Sequence, residues 1–132
     1  RDNATSEIEI PEDGMLLHPG RIYLGSTVER ISAYGLAPKI DGRSSIGRLG
    51  LLVHLTAGYV DSGFDGHYTL ELSVTEPLRV YAGVAVCQVS FEMIHGDITD
   101  YTGKYNNQGA RPVSSRLWKE LQPAEQPSKE QP

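Results

Sequence analysis

Residues 56–74 read TAGYVDSGFDGHYTLELSV. The second half, Tyr68-Thr69-Leu70-Glu71-Leu72-Ser73-Val74, alternates without a break, with apolar side chains on one face and Thr69, Glu71 and Ser73 on the other. A period of two marks a strand with one face against a core. The first half carries Gly58, Gly63 and Gly66, which permit tight curvature and let main-chain amides approach a flat ligand. Such a curved segment running into a half-buried strand belongs to an antiparallel sheet.

The rest of the chain follows the same grammar. Fourteen glycines and eight prolines punctuate short segments of Val, Ile, Leu, Thr and Tyr, the pattern of many short strands. Further strands are expected at Glu7–Ile10, ending at Pro11, and at Met15–Leu17, Ile22–Val28, 36–41, 50–55, Tyr59–Val60, 67–74 and Val84–Met93, with turns at Asp13-Gly14 and His18-Pro19-Gly20. Helical spacing is confined to Ser115–Leu121, and no repeat of fixed period is visible. The expectation is an all-β domain over residues 1–121, a compact antiparallel sandwich or barrel. Residues 122–132, QPAEQPSKEQP, offer almost nothing apolar to bury and are expected to form a mobile tail.

The totals narrow the function. At 132 residues the chain suits one core. Twelve basic against seventeen acidic residues give a net charge of -5, which opposes attraction to a nucleic-acid backbone but not to a small phosphorylated ligand gathered by a few local cations. Cys87 is the only cysteine, which excludes an internal disulfide and a zinc site of several thiolates. With no long apolar run and no basic-then-apolar start, the expected location is cytoplasmic, away from membranes.

Two clusters carry the chemistry. Gly42-Arg43-Ser44-Ser45-Ile46-Gly47-Arg48 packs two guanidiniums, two hydroxyls and two glycines into seven positions, the groups that cradle phosphate. It is not a Walker loop, since no Gly-Lys-Ser/Thr ending follows; a polar turn with solvated arginines is the competing reading. In the second cluster Asp61 stands between an apolar segment and a turn, where its carboxylate either faces a hydroxyl or metal-bound water or simply caps the turn. Phe64 either covers a sugar or fills core. Glu71 leaves the apolar face of its strand; it is a solvated strand glutamate or, facing a pocket, a general base that activates water. Tyr101-Thr102-Gly103-Lys104-Tyr105-Asn106-Asn107-Gln108-Gly109 is a solvated loop or a lid with donors for a triphosphate.

Taken together, Gly42–Leu51, Thr56–Phe64 and Thr69–Leu72 resemble the dCTP deaminases in order and spacing, with His18-Pro19-Gly20 and Gly103-Lys104-Tyr105 as weaker flanking features, so that the resemblance runs from about Glu7 to Trp118. It implies a dUTPase-like β-clip, a distorted antiparallel barrel assembled as a homotrimer with active sites shared between neighbouring subunits. By position, the resemblance gives Arg43, Ser44 and Ser45 to phosphate binding, Ser44 also to placing the attacking water, and Arg48 to phosphate binding and to orienting Glu71. It gives Asp61 the deoxyribose 3'-hydroxyl and a share in organising hydrolysis, Phe64 the sugar face and Ala57 the base. Tyr101, Lys104 and Gln108 match a closing arm at about 100–118, and His54 with Ala57 a regulatory segment through which dTTP inhibits.

The implied reaction is addition of water at C4 of cytosine with Glu71 as base. No zinc is implied, and the H-x-E and P-C-x-x-C motifs of the zinc deaminases are absent. Magnesium accompanies the triphosphate through phosphate oxygens and water, with no direct side-chain ligand. Ala57-Gly58-Tyr59 and the short arm are more like members that also cleave the triphosphate, giving dUMP, ammonia and pyrophosphate. The rival readings are a deaminase that stops at dUTP, a dUTPase alone, and a catalytically silent nucleotide sensor. The resemblance also leads one to expect a Ser-x-Asp-hydrophobic-Arg motif ahead of these segments, which this sequence does not contain.

Overall fold

The computed structural model describes residues 4–117. Its elements are β1 (Met15–Leu17), β2 (Tyr23–Ser32), β3 (Leu36–Gly42), α1 (Ser44–Gly47), β4 (Leu51–Val53), β5 (Asp65–Val74), β6 (Leu78–Val80) and β7 (Cys87–Met93). The all-β expectation holds. Three antiparallel units are built from them: β2-β5-β4, β3-β7 and β1-β6.

β5 is the centre of the fold because its alternation gives it two usable sides. Tyr68, Leu70 and Val74 turn inward and join Leu17, Ile40, Leu51, Val53 and Phe64 in one core, while Glu71 is exposed. Burying these side chains stabilises the fold by about 1.5–3 kcal/mol for each large aliphatic or aromatic residue. β2 pairs with β5 from Tyr23↔Leu72 to Ser26↔Thr69 and again from Arg30↔His67 to Ser32↔Asp65, with a bulge between. Thr27 fastens that bulge. Its buried hydroxyl donates to the Glu29 carbonyl at 2.8 Å and accepts the Tyr68 amide at 2.8 Å, so the extra residues are held without an orphaned donor.

Several expectations need correction. Glu7–Ile10 alternates but forms no strand: Ile8 is 62% exposed, and no neighbouring strand supplies a ladder among the described residues. The segment 50–55 shortens to Leu51–Val53 because His54 takes a positive φ of 53° and turns the chain away. Tyr59–Val60 yields only a single bridge, Lys39↔Tyr59. The sequence reading missed β6, whose three residues pair with β1. Of Ser115–Leu121 only the first residues are described, and the tail at 122–132 lies outside them.

Tyr68 shows an unusual cost inside the core. The residue is 3% exposed, and its hydroxyl has no hydrogen-bond partner among the described residues. An unpaired buried hydroxyl is destabilising by about 1–3 kcal/mol, so Tyr68→Phe is expected to melt no lower, and by about 1 kcal/mol higher, than the parent. Burial also pushes the Tyr68 phenol from 10.0 up to about 12. A raised folded-state value means that stability present below pH 10 drains away as pH climbs from 10 towards 12. Thermal melts across that window are expected to fall less steeply in Tyr68→Phe.

Candidate functional site

The phosphate-cradle segment is a single helical turn standing at the end of β3. The amides of Ile46 and Gly47 donate to the Arg43 carbonyl at 3.0 and 2.9 Å, and the Arg48 amide donates to Ser44 at 3.1 Å. Ile46 packs against the core and roots the turn, leaving Arg43, Ser44, Ser45 and Arg48 exposed. Two long-range bonds lean the turn against the β6–β7 connection and β7: Arg43 Nη1 donates to the Ala85 carbonyl at 2.8 Å, and Gln88 Nε2 donates to the Gly42 carbonyl at 3.3 Å.

Between this turn and β4 lies an open groove of about 610 Å³, lined among others by Arg43, Ser44, Ser45, His54 and Gln88. Its donors are a guanidinium, two hydroxyls, an imidazole and a carboxamide, a set suited to an anion with several oxygens. Its carboxylate, Asp41, is already engaged by Lys39 at 3.1 Å, and that pairing raises the Lys39 ammonium above its ordinary value. Burial, with the Glu29 carboxylate as a lesser cause, pushes up the thiol of Cys87, the neighbour of Gln88.

Glu71 sits one register step past the end of β4. The His54 amide donates to the Glu71 carbonyl at 2.8 Å, and the Glu71 amide meets His54 Nδ1 at 3.4 Å. The exposed Glu71 carboxylate accepts the Thr56 hydroxyl at 3.2 Å. Glu71 is therefore directly beside a groove residue without lining the groove itself. No Arg48–Glu71 ion pair occurs among the described residues.

The other expected site residues gather elsewhere, around the turn that carries Asp61. Asp61 is exposed, its carbonyl accepting the Phe64 amide at 3.3 Å. Within the chain Phe64 is a core residue, 9% exposed, with its ring 5.2 Å from Tyr68 and 6.0 Å from Tyr101. Gln108 is buried too: its side-chain amide bonds Thr69 Oγ1, and its carbonyl accepts the His67 amide at 3.0 Å. Lys104 is exposed, 5.7 Å from the Tyr105 ring. Asp65, which opens β5, is held below its ordinary value by the Arg30 guanidinium at 2.8 Å. Ala57 is exposed, just before Gly58, whose carbonyl accepts the Ile40 amide at 2.7 Å.

The described part of the arm is thus tied to β5 and the Asp61 turn, where the sequence suggests a loose lid. Gln88, Thr56 and Asn106 escaped the sequence reading. Gln88 had a usable signal, the alternation of β7; the other two lie in polar stretches with no distinguishing pattern.

Set beside known proteins, residues 1–94 match the family model described as dCTP deaminase-like. The chain belongs to that family. A relative from Leptospira biflexa named "dCTP deaminase, dUMP-forming" is 49% identical over 124 residues, covering 92% of this chain and 70% of its own. Proteins of the same name from Hathewaya histolytica and Clostridium beijerinckii are 45% identical over 124 residues and 48% over 122, covering 92% and 91% of this chain and 71% and 69% of theirs. As a dCTP deaminase-like domain it carries the arginine-serine turn and the β5 glutamate on neighbouring elements joined through β4. No helix among the described residues is long and apolar enough to cross a membrane.

Proposed function

We propose that this chain hydrolyses dCTP to dUMP, ammonia and pyrophosphate, joining deamination to triphosphate cleavage. The observation that carries the reading is Glu71, an exposed carboxylate held by Thr56 at the end of β4 and joined through His54 to a groove lined by Arg43, Ser44 and Ser45. The name of the relatives, "dCTP deaminase, dUMP-forming", supports dCTP as substrate and dUMP as the nucleotide product.

In deamination, Glu71 takes a proton from a water whose oxygen bonds to C4 of cytosine, and returns it to the departing amino nitrogen, which leaves as ammonia. Ser44 holds that water. Arg43, Ser44, Ser45 and Arg48 neutralise and orient the triphosphate, Ala57 flanks the base, and Asp61 receives the 3'-hydroxyl above the packed ring of Phe64. A second water then attacks the α-phosphorus, and pyrophosphate departs. Tyr101, Lys104 and Gln108 complete the wall at the arm.

Magnesium fits this site as a companion of the substrate and not as an ion held by side chains, because the groove offers a guanidinium and hydroxyls and its one carboxylate is already paired. When bound with the triphosphate it would supply neutralisation of the phosphate charge. Arg48 and Glu71 are unpaired with each other within the chain, and Ile22, Val28, Leu55 and Met93 are 70–78% exposed apolar side chains; both support a homotrimer in which neighbouring copies share sites. The left-handed His54, followed by the exposed 55–57, supports a regulatory segment there that answers to dTTP. The reading places the protein in the cytoplasm, acting on free nucleotides.

Incubation with dCTP and magnesium, following ammonia, dUTP, dUMP and pyrophosphate, tests this directly. Ammonia and dUMP are expected in equal amounts. Accumulating dUTP would remove the coupled cleavage, and absence of ammonia would overturn the reading as a whole.

A further inference from the structure

The carboxylate proposed for the sugar is on a turn whose backbone is held from two sides, by the arm and by residues 33–35 between β2 and β3. The Gly63 amide donates to Ala33 at 2.7 Å, and the Tyr101 amide donates to the Ser62 carbonyl at 2.7 Å. Buried Ser62 donates to Asp100 Oδ1 at 3.0 Å and accepts the Gly35 amide at 2.9 Å. Asn106 makes the largest number of these bonds. Its Oδ1 accepts the Asp65 amide at 2.9 Å and the Asn107 amide at 3.0 Å, and its Nδ2 donates to the carbonyls of Tyr101 at 3.0 Å and Gly63 at 3.4 Å. One half-buried carboxamide therefore grips the turn on both flanks of Phe64, while none of the described hydrogen bonds or ion pairs engages the Asp61 carboxylate.

We infer that Asn106 is a positioning residue for nucleotide recognition, setting the direction of Asp61 through the 62–65 turn and so governing discrimination for the 3'-hydroxyl. The inference rests on the sugar contact of Asp61 in the proposed function. With no bond of its own among the described residues, that carboxylate keeps its aim through its backbone, which the arm fixes at Ser62, Gly63 and Asp65 and Ala33 fixes at Gly63. Substitution at 106 leaves the hydrogen bonds of the groove intact, because those described for its lining, such as Arg43 to Ala85 and Gln88 to Gly42, do not go to the arm.

Steady-state kinetics with dCTP and with 2',3'-dideoxy-CTP separate the possibilities. Asn106→Ala is expected to lower kcat/KM for dCTP by about 10- to 100-fold, mostly through KM, the scale of one charge-assisted hydrogen bond. The dideoxy substrate, which has no 3'-hydroxyl, is expected to lose less than about threefold. Asn106→Asp keeps both acceptor bonds and loses both donated ones, so it should fall between. Combined with Asp61→Asn, Asn106→Ala should add little, since the two act on one contact. Equal losses on both substrates, an unchanged dCTP value, or a fully additive double variant would each overturn the inference. If Asn106→Ala does not fold, Ser62→Ala loosens the same turn and is held to the same outcomes. Should Asp61→Asn discriminate between the two nucleotides as strongly as the parent, the sugar contact itself is wrong and this inference falls with it, a pattern distinct from failure at Asn106 alone.

Discussion

Glu71→Gln is expected to leave ammonia release from dCTP reduced by roughly 10²- to 10⁴-fold, the range over which a positioned general base acts. The change is nearly isosteric and preserves an oxygen for the Thr56 hydroxyl, which donates to Glu71 Oε2 at 3.2 Å. Glu71 is exposed and its backbone pairs with His54 and Leu24 independently of the side chain. Melting temperature and dCTP affinity should therefore stay close to the parent while kcat collapses. The amide cannot take the proton that water must lose on bonding to C4, so the loss belongs to the chemical step. Ammonia release at the parental rate would exclude Glu71 as the base. Cleavage of added dUTP is a useful companion measurement, because attack at phosphorus does not need a base beside C4; that activity is expected to survive to a much greater extent.

Gly63→Ala is expected to cost about 2–4 kcal/mol of stability from left-handed strain plus overpacking. Gly63 has φ +83°, and an added methyl would lie 2.7 Å from Asp100 Cβ and 3.0 Å from the Tyr101 amide nitrogen. Relief requires the arm to lift, which breaks the Tyr101–Ser62 and Ser62–Asp100 bonds together. Gly83→Ala is the matched control: φ is +76° with nothing within 4 Å of the new methyl, so only the conformational cost of about 1–2 kcal/mol remains. Urea denaturation of the two variants should differ by the steric part alone. Equal midpoints would show that the arm does not bear on this turn.

The sheet strands were legible where burial imposes alternation. β5 is legible almost residue by residue from Tyr68 to Val74, and β3 nearly as well, because Pro38 and Ile40 turn inward, whereas β7 starts three residues after the expected Val84 and turns only Cys87 and Val89 towards the core. β2 was read four residues short, since the bulge at Thr27 inserts residues and shifts the period, leaving Val28 exposed at 76%. β6 is only Leu78–Val80 and gains its identity from β1, sixty-odd positions away in the chain, a pairing no local pattern announces. Glu7–Ile10 failed in the opposite sense, having the pattern without a partner.

In the site, the Arg43–Arg48 turn stood out because glycines, hydroxyls and guanidiniums crowd one place, and the groove does form there. Glu71 was legible as a charged residue in a strand. Gln88 is legible only as an outward position in the alternation of β7, since its bond to Gly42 joins residues 46 apart, and Asn106 reads as solvated loop although its side chain makes four of the described hydrogen bonds. Phe64, to which the resemblance gives the sugar face, packs within the chain against Tyr68 and Tyr101, the core position that its residue type also suggests.

The docking of the arm on β5 also sets an order of events during synthesis. The amides of Asp65, His67 and Asn107 find their partners only when residues 106–108 meet the start of β5, about forty positions earlier. A ribosome adds those forty residues in a few seconds, at roughly 5–20 per second. Until they emerge from the exit tunnel, the edge of β5 waits open on the nascent chain, a ready target for chaperones or for premature association with another copy.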